Sequence, residues 1–309
     1  MSEANYFYKN TSIYFNEKID IDDIEEFAVH ECIHYIQEIK DKKNNLIRMG
    51  LCDHSDFKVY GLGLNEASVQ LMASKVIGIK NDFVKYFGIS FETNSPSYYP
   101  LECCLANQLA YLIGEDILFE STINSNDNFK NKLIECIGYK NFMTIQNNID
   151  KLLMSEEEII KINNKIVQID DRNKKVDNMI KKIDSLKKQI TSTFIRTQNL
   201  ITTSYFDKAF LAINDLESVE NYRRKLYNFK DYLGATDGYT FFNDYYVDKM
   251  MDLEDKYNLL ENNASVTSAS MYLVKKKTSR IMAFFRYIKS LFIHNSLKNK
   301  DFENENDFN

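Results

Sequence analysis

The chain is poor in helix breakers. Both prolines, Pro96 and Pro100, and seven of its nine glycines (Gly50, Gly61, Gly63, Gly78, Gly88, Gly114, Gly138) lie in the first half, and none falls between Gly138 and Gly234. A turn-rich second half is thereby excluded; long uninterrupted helices are expected there, after a punctuated first part. Five cysteines (Cys32, Cys52, Cys103, Cys104, Cys136) without C-x-x-C spacing argue against a disulfide framework or a zinc knuckle and for reduced thiols. Basic charge is not in excess: the net charge is −6, so no global positive field draws the chain to nucleic acid. No apolar run approaches the length of a membrane span, and MSEANYFYKN lacks the basic-then-apolar order of a signal peptide. A cytosolic location is the default expectation, although export without a cleaved signal would leave no mark.

Histidine is scarce as well, with four in all, and two of them stand in His30-Glu31-Cys32-Ile33-His34. This H-E-x-x-H pattern lets one turn of helix grip zinc and carry a general base, because positions i and i+4 lie one above the other. The surrounding run from Asp22 to Lys42 has acidic residues first, lysines last and no breaker, which predicts a helix over its whole length. Ile24, Phe27, Ala28, Glu31, Tyr35 and Glu38 share one side, with the histidines bordering it. Upstream, Asn5 to Tyr8 and Thr11 to Phe15 predict two short strands around Lys9-Asn10. The plainer alternative for the motif is a helix with one satisfied core histidine and one exposed one.

A catalytic zinc site uses three protein ligands and a position for water. The residues after His34 exclude the metzincin spacing, since no third histidine follows. Glu66 is the best third ligand, at the start of a second helix predicted from Asn65 to Gly78. Asp53, His54, Asp56 and Glu102 remain as rivals; Asp and Ser are also ordinary turn formers, and a glutamate early in a helix also answers the dipole. With these residues the chain resembles the gluzincin, thermolysin-like branch of zinc metallopeptidases over about residues 5 to 80. His30, Glu31, His34, Asn65 and Glu66 match that pattern, while the family's frequent aspartate that orients a histidine ligand is Gln70 here. The resemblance implies a zincin-like domain, Zn²⁺ as cofactor, metal ligands His30, His34 and Glu66, Glu31 as general base, and a protein or peptide substrate. His54, Tyr60, Tyr98 and Tyr99 are candidates to stabilise an oxyanion, with Gln70 behind a histidine ligand. An edge strand such as Thr11 to Phe15 could take an extended peptide by strand addition.

The fold class expected is mainly α with a small N-terminal β element: a catalytic domain over 1–150 and a helical domain over 151–309. Residues 93–100 read as a loop, Pro100 as the first residue of a helix over 101–120, and Phe129 to Ile137 as a further helix. From Ile159 to Phe194 a 3-4 repeat passes through Ile162, Ile166, Ile169, Asn173, Val176, Ile180, Ile183, Lys187 and Ile190, the stripe of a coiled coil. A second helical stretch, Ser204 to Leu233, is expected to fold back on it as a hairpin over about 156–233; self-association through the stripe competes. The basic amphipathic segment 275–298 could contact an anionic membrane, with packing on the protein body preferred. The rival to a peptidase is a non-catalytic zincin-like scaffold that binds a protein partner through the coiled arm or a membrane through the C-terminal segment.

Overall fold

Glycines stop three of the helices, at Gly78, Gly114 and Gly138. The computed structural model describes residues 4–17, 24–55, 58–169 and 174–266, and among them the chain is mainly helical, 69% helix against 12% strand. Two units are distinguished, Met1–Asn258 and Leu259–Asn309; of the second, only the closing turns of the last helix are described. The segment 275–298, Asp56 and Asn173 lie outside the described residues.

The expected N-terminal strands are β1 (Ala4–Phe7) and β2 (Ser12–Phe15), paired antiparallel. Helix α1 (Ile24–Ile36) follows. Three further antiparallel hairpins, absent from the sequence reading, are β3 (Glu38–Lys40) with β4 (Leu46–Met49), β5 (Asp53–Ser55) with β6 (Lys58–Tyr60), and β7 (Asp82–Tyr86) with β8 (Ile89–Thr93). Their strands are three to five residues long, too short for an alternating pattern to stand out. Helix α2 (Leu62–Ile77) lies between the last two hairpins, and α3 (Pro100–Ile113) begins at Pro100 as expected. A single helix over 101–120 is not formed: Gly114, at φ +128, separates α3 from α4 (Glu115–Ile123), a backbone angle that an L side chain resists. Helix α5 (Asn128–Ile137) follows.

The apolar stripe from Ile159 to Phe194 is divided between two helices, α6 (Tyr139–Val167) and α7 (Lys174–Leu211). Its halves face each other: Ile159 and Ile162 on α6, and Val176, Ile183, Ile190 and Phe194 on α7, are all buried. Contacts run in opposite order along the two helices, Lys182 to Glu158, Gln189 to Ser155 and Arg196 to Asn148, so the hairpin is antiparallel and spans Tyr139 to Leu211 instead of 156–233. The stretch expected to fold back is split, because Asp215 and Ser218 form a reciprocal capping box that starts α8 (Leu216–Phe229). A 3₁₀ turn (Lys230–Tyr232) and α9 (Phe241–Val266) complete the described chain.

Helix α2 sits at the centre, with every residue from Gly63 to Ser74 buried. It packs against α1, α3, α4 and α6. Its N-terminal amides find no side-chain cap of their own; the Asp150 carboxylate of α6 accepts from the N–H groups of Gly61 and Gly63, both at 2.8 Å. Residue 150, where the sequence suggests a boundary, thus lies inside α6 and bonds to α2. At Gly63 a Cβ would stand 2.9 Å from the Ile149 carbonyl oxygen, a backbone atom. Gly63→Ala is expected to cost about 1–3 kcal/mol through overpacking, read as a fall in melting temperature; an unchanged melting curve would mean that α2 and α6 are not this close.

Candidate metal centre

The α1 helix ends earlier than its charge pattern suggests. Gln37 N–H bonds to the Ile33 carbonyl at 3.0 Å and the chain turns into β3, so Glu38 to Lys42 are not helical. Its buried face is Phe27, His30, Glu31, Ile33 and His34, whereas Tyr35 is 53% exposed. The histidines therefore occupy the middle of the buried face and not its border, because α2 packs against this side. Helix α2 also begins three positions before Asn65: Gly61, at φ +79, is the cap, which sets Glu66 a full turn inside the helix.

His30, His34 and Glu66 meet where α1 crosses α2. The two Nε2 atoms are 3.0 Å apart, and Glu66 Oε2 lies 3.3 Å from that of His30 and 3.4 Å from that of His34. Ligand atoms about 2.0–2.1 Å from a tetrahedral zinc are separated from one another by about 3.3 Å. Among the described residues, this is the group of three or more His, Cys, Asp or Glu side chains that could hold a metal ion.

The other ring nitrogens fix the tautomers. His30 Nδ1 faces Gln70 Oε1 at 2.9 Å, and His34 Nδ1 faces Gln37 Oε1 at 3.2 Å. Both amides are oriented by a group with a single hydrogen-bonding role, the Glu26 carboxylate for Gln70 and, through Asn65, the Leu51 N–H for Gln37. Gln70 Nε2 donates to the Glu26 carboxylate and to Ser74 Oγ; Gln37 Nε2 donates to Asn65 Oδ1, which also accepts from Leu51 N–H at 3.0 Å. Each imidazole thus donates from Nδ1 to a carbonyl oxygen and turns a bare Nε2 lone pair toward Glu66. The donor set fits a divalent cation. Without one, burial opposes an imidazolium at His34, but the Glu66 charge and hydrogen bond, with Glu31 and Gln37, raise it to about 9. Glu66 answers in the opposite sense: burial pushes its carboxyl up, but His34, then the His30 hydrogen bond, hold it far below the usual range. Gln37, Asn65 as its partner, and Glu26 were not singled out in the sequence. The available signal was the amide side chain at i+3 from His34.

Glu31 is buried beside the cluster, and its Oε2 accepts a 2.7 Å hydrogen bond from the Tyr6 backbone N–H of β1. Tyr99 holds a left-handed backbone, φ +50, immediately before α3, and stacks on His30 with ring centroids 6.1 Å apart. Burial, then the charges of Glu66, Glu31 and Glu102, push its phenol well above the ordinary value, which keeps it a proton donor. Tyr98 packs edge-on against Phe27. Tyr60 ends β6 opposite Asp53, and no hydrogen bond among the described residues links it to the three ligands. His54 lies in β5 opposite Val59, its side chain outside the described set.

Two rival ligands lie outside the group of His30, His34 and Glu66. Asp53 pairs with Lys130 at 2.6 Å. Glu102 is fully buried on α3; neither of its carboxylate oxygens, nor Oε1 of Glu156 on α6, has a hydrogen-bond partner. Burial raises both carboxyls, and the charge of Glu102 raises Glu156 further.

Comparison with protein-family models, curated proteins and solved structures gives no match to this chain.

A carboxyl raised by folding adds stability at pH below its unfolded value of about 4.3 and loses it as pH rises through the folded value. Glu102→Gln, uncharged throughout, should match the parent near pH 4.5 and be more stable above pH 8 by on the order of 2 kcal/mol. Thermal melts of both proteins across that range check this; parallel curves would remove the buried acid pair.

Proposed function

We propose that this chain is a zinc metallopeptidase with a zincin-like centre, in which His30, His34 and Glu66 hold the metal and Glu31 is the general base. One observation carries the reading: two Nε2 atoms and a carboxylate oxygen converge at zinc-like separations of 3.0–3.4 Å. A zinc ion bound there supplies Lewis-acid chemistry, lowering the pKa of a water toward about 7 and polarising a carbonyl. The chain's own groups do the rest. Glu31 is tethered at Oε2 by Tyr6 N–H, which fixes the carboxylate and leaves Oε1 to accept the water proton and deliver it to the leaving amine. Tyr99, stacked on His30 and held protonated, is the group we assign to donate to the developing oxyanion.

A protein or peptide is the substrate class that this arrangement favours. Within its two-stranded ladder β2 pairs with β1 alone among the described residues, and its outer edge suits an extended peptide. Reduced, buried Cys52, Cys103 and Cys104 accord with a reducing compartment such as the cytosol.

Purified protein should carry one zinc per chain by elemental analysis and hydrolyse an unfolded protein substrate. Glu31→Gln is expected to keep the zinc and lose activity by about 100-fold or more, while Glu66→Ala and His34→Ala lose the metal. Full activity in Glu31→Gln would end the mechanism. Zinc bound without hydrolysis of any protein substrate would leave the rival scaffold.

A further inference from the structure

A polar cavity of about 570 Å³ opens on the outer side of α3, where β8, α4 and the end of α8 meet. Glu92, Asn94, Asn107, Tyr111, Asp231 and Tyr232 line it, and no lysine, arginine or histidine does so among the described residues. Tyr111 and Tyr232 stack on each other, 4.5 Å between centroids and 29° between planes. This aromatic wall is fixed from behind. Tyr111 Oη donates to the Lys225 carbonyl at 3.1 Å, and the Tyr232 carbonyl accepts from Gln108 Nε2 at 3.1 Å and from Cys104 Sγ at 3.6 Å. Glu115, a third carboxylate at the rim, is paired with Lys75. Glu92 and Asp231 form no ion pair among the described residues.

Lys225 Nζ already stands 5.9 Å over the Tyr111 ring, which leaves the half-exposed ring of Tyr232; with two carboxylates outside any ion pair among the described residues and the carboxamides, it asks for a flat cation rich in N–H donors. A guanidinium meets all three demands, since it stacks on aromatic rings and donates in a planar fork to carboxylates, whereas an ammonium has no face to stack. We propose that this cavity binds a guanidinium group, presented by an arginine side chain of a protein or peptide partner. The site lies apart from the metal ligands, and the proposal holds whether or not the chain hydrolyses peptides.

Isothermal titration of the full chain with N-acetyl-arginine methylamide, agmatine and N-acetyl-citrulline methylamide tests it. Saturable one-to-one binding of the arginine probe is expected, at least tenfold tighter than that of its uncharged citrulline counterpart. Agmatine binding as tightly as the arginine probe would keep the guanidinium site but make its source a free small molecule. Glu92 and Asp231 are exposed, so Glu92→Gln and Asp231→Asn should leave melting and zinc content unchanged while each weakens binding about tenfold. No saturable heat with either guanidinium probe, equal binding of citrulline, or unaltered affinity in the Glu92→Gln/Asp231→Asn double variant would overturn the proposal.

Discussion

Two imidazole lone pairs and a carboxylate oxygen aimed at one buried point repel one another unless a cation or a proton lies among them. That constraint organises the region around α1 and α2. The metal-free chain meets it with a proton, which is why His34 is raised to about 9 while Glu66 is held low. A divalent ion meets it better, because it satisfies all three lone pairs at once. The convergence persists because Gln70 and Gln37 hold the far side of each ring and are themselves held by Glu26, Asn65 and the Leu51 amide. Both supports are neutral amides, so the rings are oriented without the added basicity a carboxylate would confer.

Such an arrangement needs a helix that carries polar groups into the interior. Asn65, Glu66, Ser68, Gln70 and Ser74 are all buried on α2, each of them a cost unless bonded. Ser68 meets Thr122 of α4 at 2.6 Å, and the others join the network around His30 and His34. Glycine makes the close packing possible at two places. Gly50, at φ +56, leaves room for Asn65 Oδ1 and Gln37 Nε2, and Gly63 lets α6 cross at backbone contact. Through Asp150 and Ile149, α6 also secures the start of α2. The long helical half is thereby part of what positions Glu66, not a separate arm.

Helix α3 shows how one element can serve three environments. Glu102 turns to the buried acid pair with Glu156, and Cys103 contacts the Ala67 carbonyl of α2. The stripe Cys104, Asn107 and Tyr111 faces the acidic cavity. Consecutive side chains on a helix diverge by about 100°, so adjacent residues here belong to a buried acid pair, an interhelical contact and a surface cavity.

Features with a short period or an obligate residue type were legible in the sequence: the H-E-x-x-H turn, the first strand pair, the helix start at Pro100, α5, and the apolar positions of α6 and α7. Where the stripe would break and which halves would pair was not legible, since the 3-4 repeat runs on past Val167 to Lys174 without a glycine or proline to mark the break. Three hairpins of very short strands escaped for the same lack of local signal. The sequence alone determined which side chains could bind a metal and that two of them share a helical face, because i, i+4 spacing is local geometry. Only the tertiary structure decided that Glu66, and not Asp53 or Glu102, comes to them, and that Gln37 and Gln70 orient the rings. Those choices depend on how two helices cross, and a crossing is set by the packing of many distant residues at once.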